Sequence, residues 1–233
     1  MQFEVKPEIF AQLPTMCVGV VIAQQVDNSQ AYPEIETLLD QAIANAQRQF
    51  KDVQVKQDPL IVPYREAFRK LGINPNRYPC SVEAMFKRLS KGKSLPHINP
   101  LVDLNNAISL KYALPMGTHT LDGATDNIEM RLAEAGDSFE ALGSDKVEAP
   151  DENEVVYAVG HQVRTRRWTW RQSKFGMITP ETKTVFFPID GFSDVNQDKV
   201  EQAANELADK LQTIFHCQVQ RGLVDQAHPV FAW

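Results

Sequence analysis

The chain has 233 residues, 43% of them hydrophobic and 23% charged, with a formal net charge of −6. That balance suits a globular protein and argues against one that coats nucleic acid indiscriminately, since such binding rests on neutralising phosphates; a local basic patch stays compatible with it. No secretory signal is read in MQFEVKPEIF, and the longest apolar run, MCVGVVIA, is too short to cross a bilayer, which takes about 20 residues.

That run, Met16 to Ala23, reads as a buried strand. After Pro33, apolar residues Ile35, Leu38, Leu39, Ala42, Ile43, Ala46 and Phe50 recur at helical spacing. PYREAFRKLG continues with Tyr64, Ala67, Phe68 and Leu71 on one face and Gly72 as a left-handed stop. Ser81 opens SVEAMFKRLSKG, whose inward stripe is Val82, Met85, Phe86 and Leu89. Its basic end, Lys87, Arg88, Lys91 and Lys93, fits either a solvated helix terminus or a phosphate contact. From Pro100 another helix is predicted, capped by Asn99, with Leu101, Leu104, Ile108 and Tyr112 inward.

The second half turns to strands. NIEMRLA alternates with period two, and EVVYAVG, QVRTRRWTW and TKTVFFPID come next, between short turn signals. GSDKVEAPDENE reads as an acidic loop. Asn196 to His216 forms a last amphipathic helix, and CQVQRGLVD a terminal strand. Helices early and strands late predict an α+β fold with a mostly antiparallel sheet flanked by helices, organised as one unit over residues 1–233. Cys17, Cys80 and Cys217 are far apart, and the five histidines show no ligand spacing. A reducing cytoplasmic setting is therefore expected, with no metal and no cofactor.

Two segments carry candidate chemistry. In QVRTRRWTWRQ, a continuous strand would put Arg164, Arg166, Trp168 and Trp170 on one face and Arg167 and Arg171 on the other. Indoles beside guanidinium groups suit a base, a ribose or an aromatic side chain, with arginine on phosphate. Equally, the tryptophans fit a core whose arginines pair with carboxylates. Asn105 and Asn106 fall inside a predicted helix, where Asn is a mediocre former, and Gly117 and His119 lie after Pro115 in a turn. Together these groups either orient a carbonyl and a water or brace the turn. No phosphate-binding loop, dinucleotide fingerprint, GxSxG elbow or HExxH is present.

INPLVDLNNAISLKYALPMGTHTLD resembles the B3/B4 domain of the phenylalanyl-tRNA synthetase β subunit, as does MITPETKTVFFPIDGF. FRKLGINPNRYPCSVEAM, LPHINPLVDL and TRRWTWRQS are similar to free-standing B3/B4 proteins of bacteria; the likeness spans roughly residues 60 to 190. The resemblance implies a mixed α/β fold with a pocket between lobes, and clearance of a mischarged amino acid from tRNA in trans. It leaves no room for an aminoacylation core. Asn106 matches the pocket Asn of the family, and Asn105 stands where the synthetase has Thr. The synthetase's Pro-x-His histidine falls on Gly117, with His119 two residues on. Its Gly-Gly-Glu loop has no counterpart near Val159 to His161, so TRRWTWRQS is expected to line the pocket instead.

The expected ligand is thus the aminoacylated 3′ end of tRNA. Asn105, Asn106, Gly117 and His119 would orient carbonyl and water, Trp168 and Trp170 would stack, and Arg164, Arg166 and Arg171 would meet phosphate. A non-catalytic module binding a free amino acid or small aromatic ligand is the second reading, and a docking partner of synthetases or ribosomes the third.

Overall fold

A computed structural model describes residues 1–233. In chain order the elements are β1 (Gln2–Val5), α1 (Pro7–Gln12), β2 (Met16–Gln24), α2 (Pro33–Gln49), α3 (Val62–Lys70), α4 (Ser81–Leu89) and α5 (Pro100–Tyr112). The strand-rich half holds β3 (His119–Thr120), β4 (Ile128–Leu132), β5 (Phe139–Glu140), β6 (Val147–Glu148), β7 (Val155–Val159), β8 (Gln162–Arg166), β9 (Arg171–Gln172) and β10 (Thr184–Phe192). The chain closes with α6 (Gln197–Ile214), β11 (Gln218–Val224) and β12 (Val230–Ala232).

The architecture is α+β, with two principal sheets and only β1–β4 paired in parallel. One sheet runs β12-β1-β4-β7-β8-β9 and the other β11-β2-β10-β3. β2 and β10 form the long antiparallel pair of the second sheet, from Thr184 opposite Gln24 to Phe192 opposite Met16. From Val185 onward every residue of β10 is buried, which explains its apolar run from Val185 to Ile189: a strand covered on both faces has no polar side to alternate with. The predicted helices form at or within a few residues of their expected bounds, and the Asn99 Oδ1 cap accepts from Val102 N at 3.1 Å. The sequence pattern does not foretell α1, β1, β12 or the two-residue strands β3, β5, β6 and β9, of which β6 lies inside the segment expected to be an acidic loop. β1 and β12 are short and pair with one another across the termini, so no local pattern announces them. No helix is long and apolar enough to cross a membrane.

α5 ends at Ala113, whose φ of 57° places it in the left-handed region. The chain then doubles back along β10: Asp190 N donates to the Pro115 carbonyl, and Gly117 N donates to the Pro188 carbonyl, each at 3.0 Å. This return segment lays Gly117 and His119 along the edge of β10, with His119 opposite Phe186.

Candidate functional site

The expected strand through QVRTRRWTW is broken twice. Tyr157 pairs with Thr165, whereas Ala158 pairs with Val163. Arg164 is therefore an extra residue, and such a bulge reverses the facing of the residues beyond it. The strand stops at Arg166, after which Arg167 (φ 48°) and Trp168 (φ 59°) both adopt the left-handed conformation. L-residues rarely accept that strain, and it persists only where surroundings enforce it. Here Glu154 Oε1 accepts from Arg167 N at 2.9 Å, and Val155 O accepts from Trp168 N at 2.7 Å. The bulge turns Thr165 toward His119, and the left-handed turn drives the Trp168 indole inward.

Around this turn lies a cleft of about 60 Å³, lined by Gly117, His119, Tyr157, Thr165, Trp168, Thr169, Trp170, Arg171 and Asp190 among others. At its base the Asp190 carboxyl is buried. Tyr157 Oη and Trp168 Nε1 both donate to Asp190 Oδ1, each at 2.7 Å. Oδ2 receives no hydrogen bond from the protein. Burial pushes this carboxyl up to about 7, against the pull of its two donors. The His119 imidazole packs beside the rings of Tyr157 and Phe186, the three centroids 6.0 to 6.3 Å from one another. Burial, assisted by the neighbouring Arg164 charge, pushes it down to about 3. His119 is thus a neutral imidazole, with Nε2 at 3.4 Å from Thr165 Oγ1 and Nδ1 without a partner. Ser81 Oγ and Thr169 Oγ1, from residues in the same lining, are also buried without partners.

Beside the cleft a ladder of cations and rings climbs to the surface. Arg77 covers Tyr78 at 5.0 Å, Arg167 covers Tyr78 at 4.0 Å and Trp170 at 4.8 Å, and Arg171 approaches Trp170 at 5.8 Å. Arg77 and Arg171 are exposed. Arg167 is buried and pairs with Asp151, so its charge is already committed. A larger groove of about 420 Å³ lies between α2 and α5, but its Lys111 and Glu206 are paired with each other at 2.6 Å.

The structure therefore gathers Gly117, His119, Trp168, Trp170 and Arg171 in the cleft lining, with Arg164 next to His119 but outside that lining, while Asn105, Asn106 and Arg166 do not line it. Asn105 and Asn106 lie on α5 and neither lines the cleft. Gly117 N is occupied by Pro188, so its amide has no donor to spare for a substrate carbonyl. Trp168 is fully buried and serves as a wall held by Asp190 rather than as a stacking platform; Trp170, half-buried at the rim, keeps that capacity. Arg166 is sealed among carboxylates, bidentate to Glu154 at 2.9 and 2.8 Å and bonded to Glu148 at 2.9 Å. Arg164 is buried and donates to the Phe175 carbonyl. Neither of these two arginines is placed to meet a phosphate. The basic end of α4 is partly spent too, with Lys87 on Glu83 at 2.6 Å. Asp190 and Tyr157 are site residues that the sequence reading does not single out. The signal for the first is legible, since a lone carboxylate inside VFFPIDGF has to be satisfied somewhere.

At Gly117 a Cβ would come 3.0 Å from His119 Nε2 and 3.1 Å from Pro188 Cγ. Gly117→Ala is expected to cost about 1–3 kcal/mol of stability through overpacking and to push the imidazole into the cleft. Chemical denaturation together with the His119 ring shifts in NMR checks this.

The B3/4 domain matches residues 63–217, more than half of the chain. Among solved structures, an N-terminal fragment of the phenylalanyl-tRNA synthetase β-subunit from Pyrococcus horikoshii shares the fold, with a TM-score of 0.50 at 11% identity. The match covers 93% of this chain and 49% of that one, so the chain spans about half its length. No curated protein matches. The domain match, the shared fold and the order of the sequence motifs agree, and the chain belongs to the B3/4 domain family.

Proposed function

We propose that the cleft beside the left-handed turn receives the aminoacyl end of a tRNA and hydrolyses its ester in trans. The observation that carries this is a small cleft that sets the His119 imidazole and the hydroxyls of Ser81, Thr165 and Thr169 around the Asp190 carboxyl, beside an open cation and aromatic rim, in a chain of the B3/4 family. Hydrolysis of an activated ester is assisted by placing a water against the carbonyl. The His119 imidazole, neutral throughout the physiological range, and the hydroxyls of Thr165, Thr169 and Ser81 supply hydrogen bonds for that placement. The ribose hydroxyl next to the ester assists proton transfer. Trp170 stacks the terminal adenine, while Arg171 and Arg77 meet phosphate.

A panel of mischarged tRNAs tests the activity. Release of at least one amino acid is expected, and a folded protein that releases none removes the hydrolase. Arg171→Ala is expected to weaken tRNA binding severalfold and to flatten its salt dependence, because one phosphate contact and its counterion are lost. Filter binding at two salt concentrations measures it. Unchanged affinity, with tight salt-independent binding of a free amino acid, would favour the small-ligand module instead, a reading that the modest cleft volume also suits.

A further inference from the structure

The chemistry of the lining makes one demand that the proposed hydrolysis does not meet. A carboxyl buried to 2% exposure holds two donors on one oxygen and none on the other. Leaving a buried carboxylate half-satisfied is costly, and proteins relieve it with a proton or with a cation. No lysine or arginine pairs with Asp190: Arg164 is bound to the Phe175 carbonyl, Arg166 to Glu154 and Arg167 to Asp151. A metal ion is a poor fit, because no group of three or more His, Cys, Asp or Glu side chains converges anywhere in the chain. Below about pH 7 a proton relieves the carboxyl; once it ionises, the remaining candidate is a singly charged cation that brings its own donors. The cleft supplies further acceptors in Ser81 Oγ and Thr169 Oγ1, which find no partner in the protein. Its volume of about 60 Å³ admits a few water-sized groups.

We propose that Asp190 Oδ2 is the seat of a primary ammonium group, so that the cleft selects ligands carrying a free α-amine. The proposal rests on reading this cleft as the aminoacyl site and deepens it. Discrimination falls on the amine that distinguishes an aminoacyl ester from an N-blocked, peptidyl-like one. Asp190 binds the ligand; no proton transfer is assigned to it. An unblocked amine forms a charge-assisted bond to Oδ2, which a neutral amide cannot replace because its single N–H carries no charge and its acyl group needs room the cleft lacks.

The test uses non-hydrolysable adenosine ligands bearing an alanyl group in 3′-amide linkage. One has a free amine, one is N-acetylated, and one carries a hydroxyl in place of the amine. Affinities are measured by calorimetry on the wild-type chain and on Asp190→Asn, whose side chain keeps an acceptor for Tyr157 and Trp168. L-alaninamide alone is the small-amine control, and melting curves confirm folding. The wild type is expected to prefer the free amine by roughly tenfold or more, the scale of a charged hydrogen bond, and Asp190→Asn to show no preference. Equal binding of all three ligands to the wild type, or a preference kept by Asp190→Asn, overturns the ammonium seat and leaves the aminoacyl site standing. If no adenosine ligand binds while alaninamide binds the wild type and not Asp190→Asn, the ammonium seat holds and the aminoacyl reading fails. If nothing binds, both fall.

Discussion

Asp190→Asn is expected to make the protein more stable above pH 7 and to confer no such gain near pH 4. The folded carboxyl titrates at about 7, raised from 3.8 by burial. Between those values the folded state holds a proton that the unfolded chain releases, so this residue's contribution to stability falls as pH rises from about 4 to about 7. At neutral pH the accumulated cost approaches at most about 4 kcal/mol, from 1.36 kcal/mol per pH unit. Asparagine carries no charge to desolvate and removes this cost. His119 works the other way. Its folded value of about 3 lies below the ordinary 6.5, so protonation favours the unfolded chain, and stability is lost as pH falls from about 6.5 toward 3. In the wild type the two opposing slopes largely cancel between pH 4 and 6.5, and Asp190→Asn unmasks the histidine term. The other groups around the carboxyl are Tyr157, Trp168 and His119 in the cleft, Tyr64, which donates to the Asp190 carbonyl, and Cys17 on β2. Burial pushes the tyrosines well up and the thiol up to about 12, so neither they nor the thiol titrate inside the window. Urea unfolding of both proteins from pH 4 to 8 measures the difference; a stability difference that stays flat with pH contradicts the account.

Removal of Glu154 is expected to have the larger mutational cost. Its carboxylate holds Arg166 in a bidentate pair, accepts the backbone N–H of Arg167 and lies 3.6 Å from the Arg167 guanidinium. Glu154 and both arginines are buried. Glu154→Ala strands two buried cations, with only the exposed Glu148 and Asp151 left as counterions, and it frees the left-handed turn. The expected loss is about 3–5 kcal/mol. Replacing Arg166 and Glu154 together by leucine should cost less than Glu154→Leu alone, because the uncompensated charge disappears with its partner. Denaturant unfolding decides it, and a loss below about 1 kcal/mol for Glu154→Ala would contradict this role. Because the same turn sets the Trp168 wall, the variant is also expected to alter the tryptophan emission.

The helices are legible in the sequence because each carries an apolar stripe at helical spacing and an ordinary start or stop, as Asn99 and Gly72 show. The buried strands β2 and β10 are legible from their apolar runs. In the cleft the picture is mixed, for a physical reason. Strand periodicity assumes an unbroken ladder, and a single extra residue at Arg164 reverses the facing of Thr165 and Arg166. The left-handed pair Arg167 and Trp168 carries no glycine or asparagine to advertise it. Its cause is tertiary, the grip of Glu154 and Val155, which no local window contains. Residue type foretells the arginines' alternatives: with acidic residues concentrated at 145–154, Arg166 and Arg167 find carboxylates, and Arg171, beyond the turn, stays free. Asn105 and Asn106 stand out by composition and by resemblance, and the packing of α5 keeps them away from the cleft lining.

The three tryptophans, Trp168, Trp170 and Trp233, give the most direct measurement. Their indole N–H signals, assigned by single substitution, report the cleft wall, the cleft rim and the distant C-terminus. Titration with the free-amine alanyl-adenosine amide is predicted to shift the Trp168 and Trp170 signals along one saturable curve and to leave Trp233 unmoved. Saturable binding that leaves Trp168 and Trp170 unchanged would place the ligand elsewhere and contradict the assignment of this cleft.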